Sequence, residues 1–367
     1  MKNSSHRAER FLENTTLLNI RYDQAYLSSF EIPDWIFSQL MKYVSYAMIS
    51  VAFFGMMGNI LIIITFVKIG FSESINVSYC ALCVADILCV VTLTWNAVCF
   101  IPAFANANLP FVATEMVIPT GGGMGDIFCG TTAWVTAFIS LERCLCVVFP
   151  LKIKNIVKPR KTVYLIVAIF GMTIIPLTSV TFYIYAFDIK FHGDSNRTLV
   201  RVRYRETPLT DHLYEFHLMY KLVILCITPL VVILVCSVSL AVHLNRSVLW
   251  RLGLSDTITA DTTGSGNDIR HNHHRKYVKD MKVAKTVLAI ATAFILLGSL
   301  SSIRLLISMT WSKFRPMGYY SRSFRLIARL SSLFSLTNSS LNFLIYYKMG
   351  SKFRHTVNEM LFVNGKE

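Results

Sequence analysis

An acid and an arginine stand side by side at Glu142-Arg143, inside the run Ala137-Phe138-Ile139-Ser140-Leu141-Glu142-Arg143-Cys144-Leu145-Cys146-Val147-Val148-Phe149 that stops at Pro150 and passes into Lys152 and Lys154. A charged pair among apolar neighbours costs several kcal/mol unless it finds partners or water, which makes it a functional candidate. Asp86 places a second lone carboxylate within Leu82-Cys83-Val84-Ala85-Asp86, where the plain alternative is a protonated acid in a hydrogen-bonded core. A third group is basic: Lys221, Arg304, Arg325 and Arg329 sit in or near apolar runs, with Asp126, Glu115 and Glu215 as the acids available to neutralise them. These residues suit ion pairing and anion recognition. An enzyme would need clustered His, Glu or Asp at metal spacing within the apolar runs. His271, His273 and His274 do cluster, but in a Gly/Ser/Asp-rich tract that reads as solvated loop.

The elements that must position these groups follow from composition. The 367 residues are 54% hydrophobic and only 16% charged, with mean hydropathy +0.50 and net charge +15. A soluble domain is usually about 45–50% apolar and about 25% charged. Apolar runs long enough to cross a hydrocarbon core of about 30 Å occur near 43–68, 76–100, 120–148, 161–187, 213–244, 279–311 and 323–347. None alternates like a barrel strand, and continuous runs in lipid must be helices, whose backbone groups pair within the segment. The expectation is an all-α membrane protein of seven helices. Gly121-Gly122-Gly123-Met124-Gly125 is poor helix material at the outer end of the third span.

Position decides what the basic excess means. Lys152, Lys154, Lys158, Arg160 and Lys161 lie between spans three and four; Arg246, Arg251, Arg270, Arg275 and Lys276 between five and six; Lys348, Lys352 and Arg354 after seven. Lys and Arg collect on cytoplasmic faces, so these mark the inside and no nucleic-acid partner is needed. An N-terminal tail (1–42) then lies outside, a seven-helix domain spans 43–347, and an inner tail spans 348–367. No cleavable signal peptide precedes the first span. The outside tail makes Asn3 and Asn14 usable as glycosylation sequons, and Asn196 with them; sequons at Asn76, Asn245 and Asn338 fall in spans or inner loops. Phe353 and Val357 recur at helical spacing opposite Lys352 and Arg354, predicting a short amphipathic helix on the inner membrane surface. The nine cysteines read mostly as small buried hydrophobes.

Several motifs carry a resemblance in their own spans and order: Gly58-Asn59 in the first, Asp86 in the second, Glu142-Arg143-Cys144 ending the third, Pro229 in the fifth, and Asn342-Phe343-Leu344-Ile345-Tyr346 ending the seventh. The chain resembles the rhodopsin-like G-protein-coupled receptors over nearly its whole length. Its departures, which are Cys144 after the arginine, Phe343 for a proline, Gly298 and Leu300 for a Trp and a Pro in span six, and no Trp in span four, are similar to divergent invertebrate chemosensory or peptide receptors of molluscan type.

That resemblance implies a plasma-membrane receptor with its N-terminus outside, binding an extracellular small molecule or peptide in the outer bundle and activating a heterotrimeric G protein inside. The runner-up is a channel or transporter, for which repeated halves or broken paired helices would be the sign. The resemblance also implies an inactive-state lock of Arg143 on Glu142, Asp280 or both, with Asn342 and Tyr346 in the coupling machinery. It implies an allosteric sodium site at Asp86, Thr132, Asn338, Ser339 and Asn342, and no other cofactor. The family's disulfide between the outer end of span three and the second outer loop is missing: Ile118 occupies one position and 188–212 holds no cysteine. Leu336 stands where a retinal lysine would be, and Gly125 where amine receptors carry aspartate. For the ligand, Lys221, Arg304 and Arg329 with Asp126 predict a cavity of positive sign that takes an anion. The alternative is that these cations extend to lipid headgroups.

Overall fold

The computed structural model describes residues 32–149, 158–192, 197–258, 267–311, 313–315 and 318–360; the side chains of 244–284, His192 and Met349 are outside the description. Asn3, Asn14 and Asn196 lie outside the described residues.

Seven long helices form a bundle: α1 (Asp34–Ile69), α2 (Ser74–Val98), α3 (Ala113–Val148), α4 (Pro159–Ile184), α5 (Pro208–Tyr220, continuing through Lys221–Ile227 into Thr228–Ile258), α6 (Asn267–Thr310) and α7 (Ser321–Met349). Six are long and apolar enough by themselves to cross a membrane; α7 falls below that hydropathy because it carries Arg322, Arg325, Arg329 and a Ser/Asn-rich inner half. An eighth helix, α8 (Ser351–Asn358), tucks Phe353 and Val357 against the ends of α1 and α7. α3 is central and touches α2, α4, α5 and α6.

Helix bounds extend past the apolar runs. α1 begins at Asp34 rather than 43, α3 at Ala113 rather than 120, and α5 at Pro208 rather than 213. These added turns hold polar and aromatic residues that hydropathy does not register. Local chemistry sets their ends: Thr207 accepts the Thr210 N–H at 3.2 Å ahead of Pro208, whose missing N–H costs nothing in a first turn. Gly70 closes α1 at φ 90°, a conformation that side chains other than glycine's resist.

Pro229 makes its mark upstream. It cannot donate, and its ring crowds the carbonyl four residues back. The preceding seven residues, Lys221–Ile227, wind as a π-helix. Helices often absorb such conflicts in a π-bulge, frequently at functional sites. The loosened carbonyls find side-chain donors: Trp134 Nε1 donates to the Ile224 carbonyl at 2.8 Å, and Thr228 Oγ1 to Val223 at 2.8 Å. The glycine-rich stretch of α3 behaves similarly, with a π-turn over Ile118–Gly122 inside a helix that does not break.

The second outer loop corrects the sequence reading. Span four stops at Ile184, not 187, and two strands follow, β1 (Tyr185–His192) and β2 (Arg197–Tyr204), paired antiparallel as a hairpin from Tyr185–Tyr204 to His192–Arg197. Phe187, Ile189 and Phe191 alternate with Asp188 and Lys190, as Val200 and Val202 do with Arg201 and Arg203, the period-two pattern of a strand. Asp188 accepts from Arg203 Nε at 2.7 Å. Tyr204 donates to Asp211 at 3.0 Å; burial, then this hydrogen bond, push its phenol up to about 12. That contact is complete below the ordinary tyrosine range and is lost only as pH rises through about 12.

Candidate ligand cavity and signalling core

An outer cavity of about 420 Å³ opens among α2, α3, α5, α6 and α7 beneath the hairpin. Lys221, Arg304 and Arg329 are all buried and all line it, so these cations turn into the bundle and not toward headgroups. Asp126 joins two of them: Lys221 Nζ lies 3.1 Å and Arg304 Nη2 3.4 Å from its carboxylate. Arg329 is placed differently. Its Nη1 donates to the Asn96 carbonyl at 2.9 Å and also to the Asn96 side-chain oxygen, while its guanidinium stacks 4.1 Å from the Phe100 ring centre. Arg325, one turn further out, lines the cavity mouth but is exposed and rests over Phe37. Glu215 is exposed and absent from the wall, and Glu115 is engaged by Arg201. Three buried cations therefore face one available carboxylate. The arginines were legible as charges in apolar runs; Asn96 and the aromatic lid Phe100 were not, being neutral residues made relevant only by packing.

Asp126, Lys221 and Arg304 also line a smaller chamber below, of about 60 Å³, whose wall includes Cys129, Phe294 and Gly298. The position of the family's tryptophan is thus open space beside Phe294.

Beneath it a polar column crosses the bundle. Asp86 is fully buried and accepts from Asn342 Nδ2 at 2.6 Å, Ser339 Oγ at 2.8 Å and Thr132 Oγ1 at 3.1 Å, linking α2, α7 and α3. Asn338 is buried nearby on the same helix without a side-chain hydrogen bond to Asp86 among those described. Asn59 faces inward, its amide donating to the Gly55 carbonyl at 2.9 Å and across to the Ser339 carbonyl at 3.1 Å. Such bonds between membrane helices contribute about 0.6 kcal/mol on average. One carboxylate with two hydroxyls and an amide oxygen is a donor set that fits a hard cation.

At the inner end Glu142 is 2% exposed. It accepts from Arg143 Nη2 at 2.8 Å, from Ser78 Oγ at 3.1 Å and from Ser74 Oγ. The two serines, at the start of α2, escaped sequence reading because nothing local marks a serine as the partner of an acid far away in the chain. Arg143 Nε is buried without a partner. Asp280 lies on α6, and its side chain is outside the described residues. Tyr346 is buried in an aromatic cluster with Phe66, Tyr79 and Phe353, 4.7 Å from the Tyr79 ring centre, and neither tyrosine hydroxyl has a hydrogen-bond partner.

A seven-helix bundle with a charged cavity at one end, an acid-arginine pair at the other and a hydrogen-bonded column between them has the build of a membrane receptor. The profile of the 7 transmembrane receptor (rhodopsin family) matches residues 58–346, and the chain belongs to that family. It is a multi-pass G-protein-coupled receptor, not an enzyme, and its partners include a G protein and the lipid bilayer. No curated protein shows a significant sequence match. Among solved structures of this fold, squid rhodopsin superposes with a TM-score of 0.60 at 16% identity, over 90% of this chain and 86% of that one. At that identity the likeness speaks for the fold alone.

The family's disulfide between α3 and the second outer loop has a non-covalent counterpart here, while none of the nine cysteines is in a disulfide. Val112 N–H donates to the Val200 carbonyl at 3.2 Å, and Val200 N–H to the Pro110 carbonyl at 2.9 Å. Arg201 pairs with Glu115 through Nε and Nη2, and Glu115 also accepts the Val202 N–H at 3.1 Å.

Proposed function

We propose that this receptor sits in the plasma membrane with its N-terminus outside, binds a negatively charged extracellular small molecule or peptide in the outer cavity, and serves a chemosensory role. The observation that carries this reading is the charge count: Lys221, Arg304, Arg325 and Arg329 line the cavity against two carboxylates, Asp126, shared by Lys221 and Arg304, and Glu115, taken by Arg201. Burying cations is costly unless they are paired, so an anion is the partner that lowers the free energy of the occupied state. Ligand and G protein each bind one of two bundle arrangements better, and each thereby shifts the population toward it. Arg143 held by Glu142, with Asp280 as a second acid, marks the resting arrangement, and release of the arginine accompanies outward movement of α6. Asn342 and Tyr346 connect the column to that end. Asp86, Thr132, Ser339, Asn342 and Asn338 would hold a sodium ion that favours the resting bundle. Asn3, Asn14 and Asn196 carry glycans on the outer face.

The test uses receptor reconstituted in nanodiscs with purified G protein, reading nucleotide exchange against a panel of amino acids, organic acids, peptides and amines. Anions should be the agonists, and Lys221→Gln, Arg304→Gln and Arg329→Gln should each weaken potency at unchanged expression. A cationic agonist indifferent to all three would overturn the reading.

A further inference from the structure

The two ends of the Arg329 guanidinium are not equivalent. Nη1 is spent on both oxygens of Asn96, whereas Nε and Nη2 are buried and have no hydrogen-bond partner among the described residues. Nε and Nη2 share one edge of the guanidinium, the edge that meets both oxygens of a carboxylate with two parallel hydrogen bonds. No acid among the described residues pairs with Arg329, which is 3% exposed and lines the cavity wall. A buried donor left without a partner destabilises the state that leaves it so. This arrangement is held rather than accidental: Asn96 fixes one end, and Phe100 covers one face. The other two cations are in a different state, since Asp126 already lies between Lys221 and Arg304. One fork is open, so the cavity has a place for one carboxylate.

The rest of the wall says what the carboxylate is attached to. Met41, Val117, Leu218, Leu305, Phe324 and Ala328 make it apolar between the charges. Its volume of about 420 Å³ falls within the roughly 300–1,000 Å³ of small-molecule sites. We propose that the ligand is an organic monocarboxylate with an apolar or aromatic body, its carboxylate seated on the Nε/Nη2 edge of Arg329 and its body against the apolar wall. Both donor atoms are buried, so seating the carboxylate requires the guanidinium to turn toward the cavity. This deepens the anion-receptor reading and rests on it for the location of the ligand site. A peptide with several charges, or a free inorganic anion, would leave the apolar wall or the single fork mismatched.

The test takes the purified full-length receptor in nanodiscs and measures thermal stabilisation, without G protein, by 4-phenylbutyrate, 4-phenylbutanol, 4-phenylbutylamine and inorganic phosphate. Stabilisation should be given by phenylbutyrate only. Arg329→Gln should weaken it at least about tenfold, and Arg329→Lys should weaken it by a smaller factor, because lysine keeps the charge and loses the fork. Lys190→Gln, exposed on β1 and absent from the cavity wall, should leave it unchanged. If Arg329→Gln does not fold, Arg329→Lys alone decides: equal affinity to wild type refutes the fork. Stabilisation by the alcohol or the amine equal to that by the acid, or by phosphate alone, also refutes it. Nucleotide exchange with G protein is read separately. Binding at Arg329 without exchange keeps the carboxylate site and defeats the anion-receptor reading, whereas exchange driven by other anions and insensitive to Arg329→Lys does the reverse.

Discussion

At the scale of single residues, the strongest constraint is that a buried charge must be answered, and this chain answers each in a different currency. Glu142 takes an arginine from its own helix and two serine hydroxyls from α2; Asp86 takes only neutral donors; Asp126 takes two cations. Glu142→Ala removes the acid that holds Arg143 and should raise basal nucleotide exchange, as Asp280→Ala should, while Arg143→Ala abolishes coupling. Basal exchange equal to wild type in both acid variants, at matched surface expression, would refute the lock. Ser74→Ala with Ser78→Ala tests the newly seen partners: with two hydrogen bonds to a carboxylate lost, at about 1.5–3 kcal/mol each for charged groups, basal exchange should rise without any charge being altered. At Asp86, replacing sodium by a bulky cation should raise the affinity for a carboxylate agonist. Asp86→Asn should erase that difference, and a wild-type affinity indifferent to the exchange counts against a sodium site. Residue chemistry was legible where a charge interrupts an apolar run. It was illegible for Ser74, Ser78, Asn96 and Trp134, whose roles exist only through partners brought by folding.

At the scale of elements, hydropathy found the helices but not their ends, because turns beyond the hydrocarbon need not be apolar. It also read 188–212 as loop, since four arginines hide an alternation in which every second residue is apolar or aromatic. The π-segments are invisible to pattern reading for a further reason: Pro229 announces a conflict but not how the helix resolves it. The hairpin's attachment to α3 leads to a prediction. A family staple made by sulfur is replaced here by two backbone hydrogen bonds and the Glu115–Arg201 pair. An exposed pair contributes at most about 1 kcal/mol, so Glu115→Ala should lower the melting temperature only slightly. The backbone tie at Val202 is lost with it, and the hairpin roofs the cavity, so ligand dissociation should accelerate several-fold. Hydrogen exchange of 197–204 is the direct readout; protection equal to wild type would show that the backbone bridge holds the hairpin alone.

At the scale of the molecule, the question is how a charge bound at the outer end is felt at Glu142–Arg143, and the small chamber lies on that route. It is bounded by α3 at Cys129 and Gly130, by α5 at Leu225 and by α6 at Phe294 and Gly298. α3 and α5 are already in close contact there, for a side-chain carbon on Gly130 would come within 2.7 Å of Leu225. On α6, a carbon added at Gly298 would meet only the ring of Phe294, one turn back on the same helix, at 3.5 Å, ordinary contact. Gly298→Ala should fold and signal like wild type. Gly298→Trp is different, because an indole must be taken up beside Phe294 in the small chamber, displacing that ring or moving α6 away from α3. Overpacking a core costs about 1–3 kcal/mol. If that strain falls on the resting bundle and is relieved when α6 moves out, the equilibrium shifts by about 5- to 150-fold. Basal nucleotide exchange of Gly298→Trp should rise accordingly, with lower thermal stability in the absence of G protein and stability regained when G protein is bound. A variant equally destabilised with and without G protein, and silent in exchange, would show that the chamber is packing space and that the outer signal reaches the inner face by another path.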